Sequence, residues 1–253
     1  MHKRIRLNAA ALAGLLIILF FLIIAVFAPV IAPYDPKEMI ASYLPPSREH
    51  LLGTNDVGQD IFSEMVYGTR VSLYIGIFAA FIVTGVGTVL ALVSGYFGGV
   101  TDKIITAITN IAMAVPSLPL TVLLVAYLNP GKWSLIIAIS VTAWTGTARI
   151  LRSRVMQLKE LPFIKIEKTM GVHPVVILFK HILPNIKDII LTRGAMAISG
   201  AMMTEAGLSF LGLGEFGEKS WGSVLHYAFF RNSIMKKQYW WYVPPIICIC
   251  VCV

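Results

Sequence analysis

The chain has 253 residues, of which 57% are hydrophobic and only 13% are charged, whereas charged residues make up about 25% of an ordinary soluble domain. With a mean hydropathy of +0.78, this composition excludes a soluble protein and predicts an all-α membrane protein. The net charge of +8 does not indicate nucleic-acid binding, because the basic residues flank apolar segments instead of forming one patch.

A helix needs about 20 apolar residues to cross a membrane, and the chain contains five such runs and part of another. The first run is longer than the hydrophobic region of a signal peptide, which has about 7–15 residues, so we predict an uncleaved helix. Pro116 and Pro119 interrupt the third run. We therefore predict about six transmembrane helices, at 9–31, 71–96, 104–128, 134–150, 189–207 and from Trp240 to the chain end, the last being incomplete.

Lysine and arginine are unevenly distributed among the polar segments. Residues 32–68 contain six carboxylates and two basic residues, whereas eight basic residues lie between 149 and 187. Because cytoplasmic loops are enriched in lysine and arginine, segment 149–188 is predicted to be cytoplasmic. The N-terminus, with Lys3, Arg4 and Arg6, is predicted to lie on the same side, and the protein to be a multi-pass component of the cytoplasmic membrane.

Ionisable residues inside a predicted span are candidates for function. Arg193 is near the cytoplasmic end of the fifth span, where extension towards the interface accounts for it. Glu205 is near the other end, where it is predicted to contact substrate, to pair with a partner subunit or to cap the following glycine-rich turn. Met202, Met203 and Glu205 are the candidates for a substrate path.

Segment 163–185, FIKIEKTMGVHPVVILFKHILPN, is the most distinctive polar stretch. It is too charged to span a membrane, and we predict two short helices joined at residues 171–173. Gly171, Pro174 and Pro184 impose a defined path, which favours docking to a soluble partner over an amphipathic helix lying on lipid. Its predicted apolar surface consists of Ile164, Ile166, Met170, Val175, Ile177, Leu178 and Phe179.

The chain contains no motif for binding nucleotide or for hydrolysis. Walker A, H-E-x-x-H and G-x-S-x-G sequences are all absent, and the five histidines are scattered. We therefore predict no catalytic residue, no metal site and no cofactor in this chain. If the protein performs energy-dependent work, the energy must therefore come from another protein.

Four separated motifs resemble those of a known family. Gly171, ten residues before His181 and followed by Pro184, resembles the EAA loop of ABC importer permeases. Segments 50–76, 98–120 and 205–214 resemble the C-type permease of dipeptide, oligopeptide and nickel importers. The resemblance covers nearly the whole chain, with the motifs in the family's order.

This resemblance implies a type I ABC importer transmembrane domain with cytoplasmic coupling helices. It assigns residues 1–69 to an N-terminal transmembrane helix with an external loop, and residues 70–253 to the transmembrane domain. It further implies a second homologous permease, two ATP-binding subunits that hold ATP and Mg, an extracytoplasmic solute-binding protein and the surrounding membrane lipid. Coupling to the ATPases is expected at Lys165, Glu167, Gly171, His181 and Pro184.

The chain departs from the family's EAA pattern at one position. Lys165 occupies the place of the usual glutamate, and Glu167 follows two residues later. The docking surface is expected to remain, whereas a particular salt bridge to the ATPase is not. Dipeptides or oligopeptides are the preferred substrates, with nickel or a metal chelate as the alternative. A stand-alone secondary transporter or channel is the remaining possibility, but it would need repeats and ion-coupling groups that the sequence does not show.

Overall fold

The computed structural model describes residues 9–129, 131–215 and 217–253, and the regular elements in these ranges are all helical apart from one isolated bridge between Thr54 and Asp60. The predicted all-α class is confirmed. Lys3, Arg4 and Arg6 lie outside the described residues.

The helices are α1 Ala9–Val26, α2 Ala28–Ile31, α3 Ile61–Phe97, α4 Gly99–Ala114, α5 Ser117–Leu128, α6 Lys132–Lys159, α7 Pro162–Thr169, α8 Pro174–Val176, α9 Leu183–Leu208, α10 Trp221–Phe230 and α11 Tyr239–Cys252, with π-helical turns at Ile177–Ile182 and Ser209–Leu213.

Helices occupy all six positions predicted for membrane spans, but their bounds differ from the prediction. In the described ranges, α3 and α6 are each long and apolar enough to cross a membrane, and both extend well beyond the predicted limits. Helix α9 has 26 residues, including the charged residues Arg193 and Glu205, but no stretch of it is as apolar as those of α3 and α6. The C-terminal helix α11 has 14 residues.

The third predicted span, 104–128, is interrupted at a proline, as the sequence indicated. It is divided between α4 and α5, which are bent by 88° relative to each other. Val115 between them is extended, with φ −83° and ψ 128°. A residue before proline is driven out of the helical region, and Pro116 itself has no N–H to continue the helix.

A proline also interrupts the first predicted span, 9–31. Helix α1 ends at Val26, and the four-residue α2 starts at Ala28 with a proline in its first turn. Proline cannot donate a backbone hydrogen bond to the carbonyl four residues earlier. The predicted single helix is therefore two helices.

The chain divides into two compact units. The first consists of the described residues within Met1–Ile75, Pro130–Lys132 and Met202–Val253, and the second of Gly76–Asn129 and Trp133–Ala201. Helix α3 runs through the predicted domain boundary at 69/70, and that division stays a prediction.

Two tryptophans, Trp221 and Trp241, are the largest buried side chains of the first unit. The Trp221 indole Nε1 donates a hydrogen bond to the Met65 carbonyl at 3.2 Å, and the Phe21 ring packs edge-on against the indole with 5.3 Å between centroids. Burial of such large rings is a major source of stability, particularly where the indole N–H has a partner.

The core of the second unit is apolar and reaches as far as segment 163–185. Its buried residues come from α3, α6 and α7 and from the region where α9 begins: Ala91, Leu92, Tyr96, Leu151, Val155, Leu158, Ile164, Ile177, Leu178, Ile182 and Ile186. Helices α3 and α6 approach each other closely at Gly95, where an added Cβ would lie 2.8 Å from the Val155 side chain. Small residues permit this close contact.

Candidate functional site

Helix α7 ends in a glycine turn that sets the path of the following chain. The Val172 N–H donates to the Glu167 carbonyl at 3.1 Å, and the Gly171 N–H donates to the Lys168 carbonyl at 3.2 Å. These are the two hydrogen bonds of a Schellman motif, which requires a residue with left-handed backbone conformation immediately after the helix C-cap. Gly171 supplies it, with φ +79°. The predicted turn at 171–173 is confirmed.

The second predicted short helix is not separate. Helix α8 begins at Pro174 and continues through the π-helical turn Ile177–Ile182 into α9. Pro184, one of the residues expected to define the path of the chain, lies at the second position of α9. A proline removes one helical hydrogen bond, and a wide π turn just before it accommodates the loss. One rigid helical element therefore runs from the glycine turn into the predicted fifth span.

A close polar contact joins α7 to this element. Glu167 Oε1 lies 2.9 Å from His181 Nε2, and the two side chains are about one quarter exposed. The Phe163 ring packs edge-on against the His181 imidazole, with 6.1 Å between centroids. Because Glu167 and His181 lie on opposite sides of the glycine turn, their contact fixes the angle between the two helical pieces.

Lys165, at the position of the family's usual glutamate, points its ammonium group to a residue of its own chain. Its Nζ lies 2.8 Å from Glu160 Oε2, and both side chains are more than half exposed. The hydrogen bond and the positive charge of Lys165 lower the pKa of the Glu160 carboxyl. Exposed pairs of this kind contribute little to stability, so Lys165 and Glu160 are available to solvent or to a partner.

The apolar residues of the segment divide into two groups. Ile164, Ile177 and Leu178, which the sequence predicted to be part of a surface, are buried instead, because the inner faces of α7 and of the following helix pack on the core. The other residues remain exposed, with Met170 76% and Phe179 61% accessible. We call this exposed set the docking surface: Phe163, Ile166, Met170, Val175, Val176 and Phe179.

A second group of polar residues surrounds Glu205, whose side chain is buried with 1% exposure. Its carboxylate accepts hydrogen bonds from Ser209 Oγ at 2.7 Å and from Ser72 Oγ at 3.2 Å. Ser72 Oγ in turn accepts the backbone N–H of Trp221 at 3.3 Å. The carboxylate thus connects α3, α9 and the start of α10 within one compact unit.

The predicted path residues have different environments. Met202 is buried beside Glu205, whereas Met203 is 58% exposed. Ser72, Ser209 and Trp221 were not among the residues singled out from the sequence. Ser72 lies 133 residues before Glu205, and no local pattern marks such a distant partner. The residues in the described ranges include no group of three or more histidine, cysteine, aspartate or glutamate side chains that could hold a metal ion.

Comparisons with known proteins place these features in a family context. Residues 87–253 match the family described as binding-protein-dependent transport system inner membrane component, and residues 1–46 match the N-terminal TM domain of oligopeptide transport permease C. The oligopeptide transport system permease protein OppC of Bacillus subtilis (strain 168) is 39% identical over 87% of this chain and 73% of its own length. The dipeptide transport system permease protein DppC of the same strain is 34% identical over 94% of this chain and 75% of its own length.

A solved structure shows a similar fold. The inward-facing MetNI methionine ABC transporter aligns with a TM-score of 0.58 at 18% identity, covering 76% of this chain and 92% of the transporter chain. At that identity the likeness concerns the fold alone. It agrees with the type I importer transmembrane fold that the motifs predicted.

Proposed function

Since the chain belongs to the family of inner membrane components of binding-protein-dependent transport systems, we propose that it is the permease subunit of an ATP-driven importer for dipeptides or oligopeptides. The observation that carries this substrate class is the similarity to oligopeptide and dipeptide permeases over most of the chain. The same similarity favours peptides over the nickel alternative. Transport proceeds by alternating access together with a second, homologous permease.

The docking surface is the proposed contact with an ATP-binding subunit. It combines exposed apolar side chains with a backbone held by the Schellman turn and by the Glu167–His181 pair. A rigid apolar patch with a polar rim is the usual form of a protein contact. The helical element that carries it continues into α9, so a displacement of the docked subunit is transmitted to a predicted membrane span.

Lys165, Glu167, Gly171, His181 and Pro184 have different parts in this coupling. Glu167 and His181 hold the angle at the turn, Gly171 permits the turn, and Pro184 lies in the helix that continues into the membrane. Lys165 presents a positive charge where a glutamate is usual, and its partner Glu160 is in the same chain. We infer that the docking surface has the shape expected for the family and that its charge differs from the family's at Lys165.

For the transport path, we propose Met203 as a lining residue, because its side chain is exposed. Glu205 and Met202 are buried next to it and support this part of α9 from behind. The N-terminus and the docking surface are placed on the cytoplasmic side, and the segment 32–60 on the side of the solute-binding protein, on the distribution of lysine and arginine.

Reconstitution of the complete importer tests the proposal. Proteoliposomes containing this permease, its partner permease and two ATP-binding subunits, supplied with the solute-binding protein, are expected to accumulate a radiolabelled dipeptide or tripeptide only with ATP inside. Omission of this permease is the control. Accumulation of nickel chelate without peptide uptake would contradict the proposed substrate, and peptide uptake without ATP-binding subunits would contradict the proposed energy source.

A further inference from the structure

Three helices of the second compact unit meet at glycines. An added Cβ on Gly87 of α3 would lie 2.9 Å from the Thr147 side chain of α6, and one on Gly146 of α6 would lie 3.4 Å from Arg193 Nη2 of α9. A Cβ on Gly194 would lie 3.7 Å from Thr84 Oγ1 of α3. The side chains of Thr84, Thr147 and Arg193 each lie against one of these glycines, which are on three neighbouring helices.

Arg193 of α9 packs beside helix α6. It lies ten residues after the start of α9, and its guanidinium is beside Gly146, near the middle of the 28-residue helix α6. Its extension to the cytoplasmic interface stays a prediction. An ionisable residue between helices of a predicted membrane protein is a candidate for a function.

The Arg193 guanidinium has no carboxylate partner among the residues that the structure describes. Its Nη1 lies 3.8 Å from the Met196 sulfur, a weak acceptor, and its buried Nε has no hydrogen-bond partner. Another arginine of the same unit is satisfied, since Arg152 makes two hydrogen bonds to the Asp102 carboxylate. The Arg193 guanidinium thus has hydrogen-bond donors that no oxygen acceptor in the described part of the chain satisfies.

The two threonines beside Arg193 share this property. Thr147 is fully buried, and neither its hydroxyl nor that of Thr84 has a hydrogen-bond partner in the described part of the chain. Helical threonines usually satisfy their hydroxyl with the carbonyl four residues earlier, as Thr88 and Thr109 do here. Buried polar groups without partners are rare and call for an explanation.

We propose that Arg193, with Thr84 and Thr147, forms a binding site for the carboxylate of the transported peptide. The guanidinium presents parallel N–H donors that match a carboxylate, and two hydroxyls can donate to the same oxygens. The terminal carboxylate is ionised at neutral pH in every peptide, so one site serves substrates of any sequence. This inference rests on the proposed peptide transport and assigns to it a substrate-binding residue.

The test compares uptake of a tripeptide with a free C-terminus and of its C-terminally amidated form, in the complete reconstituted importer with a constant solute-binding protein. Charge-assisted hydrogen bonds to a carboxylate correspond to about tenfold or more in binding. The ratio of uptake between the two peptides is expected to fall by about that factor in Arg193→Gln, and by less in Arg193→Lys, which retains the charge. Arg154→Gln, at an exposed arginine bound to Gln157, is expected to leave the ratio unchanged.

The outcomes separate this inference from the proposed function. An unchanged ratio in Arg193→Gln would overturn the carboxylate site while peptide transport stands. Absence of peptide uptake by the unmodified importer would instead overturn the proposed function. If Arg193→Gln prevents assembly with the second permease, the same uptake ratio is measured in Thr147→Val and Arg193→Lys. An unaltered ratio in both variants would overturn the carboxylate site and assign Arg193 to pairing with a carboxylate of the partner permease.

Discussion

Glu167 Oε1 and His181 Nε2 lie 2.9 Å apart across the Schellman turn, and this contact joins α7 to the helix leading into α9. The pair lies beside the exposed apolar residues of the docking surface. Its position relates the local geometry of the turn to the proposed function, in which an ATP-binding subunit docked on α7 would act on α9 through these two side chains and the Gly171 backbone.

The Glu167–His181 pair is expected to couple ATP hydrolysis to transport. Glu167→Gln and His181→Gln should each lower the peptide imported per ATP hydrolysed, and the double variant should be no worse than either single one. A partly exposed polar contact between two side chains contributes up to about 1 kcal/mol, so the double-mutant cycle is expected to show a coupling of a few fold. Fully additive losses would show that the two residues act separately. Parallel variants of Lys132 and Glu218, a partly exposed ion pair of the first compact unit at 2.6 Å, serve as the matched control.

Gly171 is expected to be required because its backbone conformation disfavours other residues, and not because an added side chain would clash with its surroundings. No atom lies within 4 Å of an added Cβ, but φ is +79°. A β-branched residue in this left-handed conformation costs about 1–2 kcal/mol, so Gly171→Val should reduce ATP-driven uptake while the subunit remains in the membrane. Gly171→Asn is the control, because asparagine tolerates this conformation. Equal transport by the valine variant and the original protein would contradict the role of the turn.

Removal of the Glu205 carboxylate is expected to destabilise the first compact unit. Glu205→Ala leaves the buried hydroxyls of Ser72 and Ser209 without their acceptor, at a cost of about 1–3 kcal/mol. Glu205→Gln keeps one acceptor oxygen and should be less harmful. Thermal unfolding of the purified complex measures the effect, with Met203→Ala at an exposed site as the control. An unaltered melting temperature for Glu205→Ala would show that these hydrogen bonds do not support the fold.

Close packing at Gly222 gives a prediction that depends on space alone. An added Cβ there would lie 2.5 Å from the Ala206 carbonyl oxygen and 2.7 Å from its Cα, both backbone atoms. Gly222→Ala is therefore expected to destabilise by about 1–3 kcal/mol through overpacking. Gly207→Ala has no atom within 4 Å of the new methyl group and should be tolerated. Comparable melting temperatures for the two variants would contradict the close approach of α10 to α9.

The sequence predicted the features that depend on local chemistry. Apolar runs of membrane length gave the positions of six helical regions, and Gly171 gave the turn. The break at Pro116 was marked by its proline, but the size of the bend, 88°, was not predictable. Local pattern indicates where a helix cannot continue, whereas the direction of the next helix depends on packing.

The environment of individual side chains could not be predicted in the same way. Ile164 and Ile166 are two residues apart in one amphipathic helix, yet only Ile164 is buried. The position of the Arg193 guanidinium beside Gly146 of α6 was not visible in the sequence either. Contacts such as Ser72 with Glu205 join residues far apart in the chain, and only the folded structure brings them together.

The central claim is that the docking surface binds an ATP-binding subunit, and cysteine cross-linking at Met170 tests it most directly. In a variant with Cys248, Cys250 and Cys252 replaced by serine, Met170→Cys is expected to cross-link to the ATP-binding subunit in the assembled importer, in a manner that depends on ATP. Met235→Cys, at a site 86% exposed in the first compact unit, is the control and is expected to give no such product. Cross-linking of the ATP-binding subunit at Met235 and none at Met170 would contradict the account.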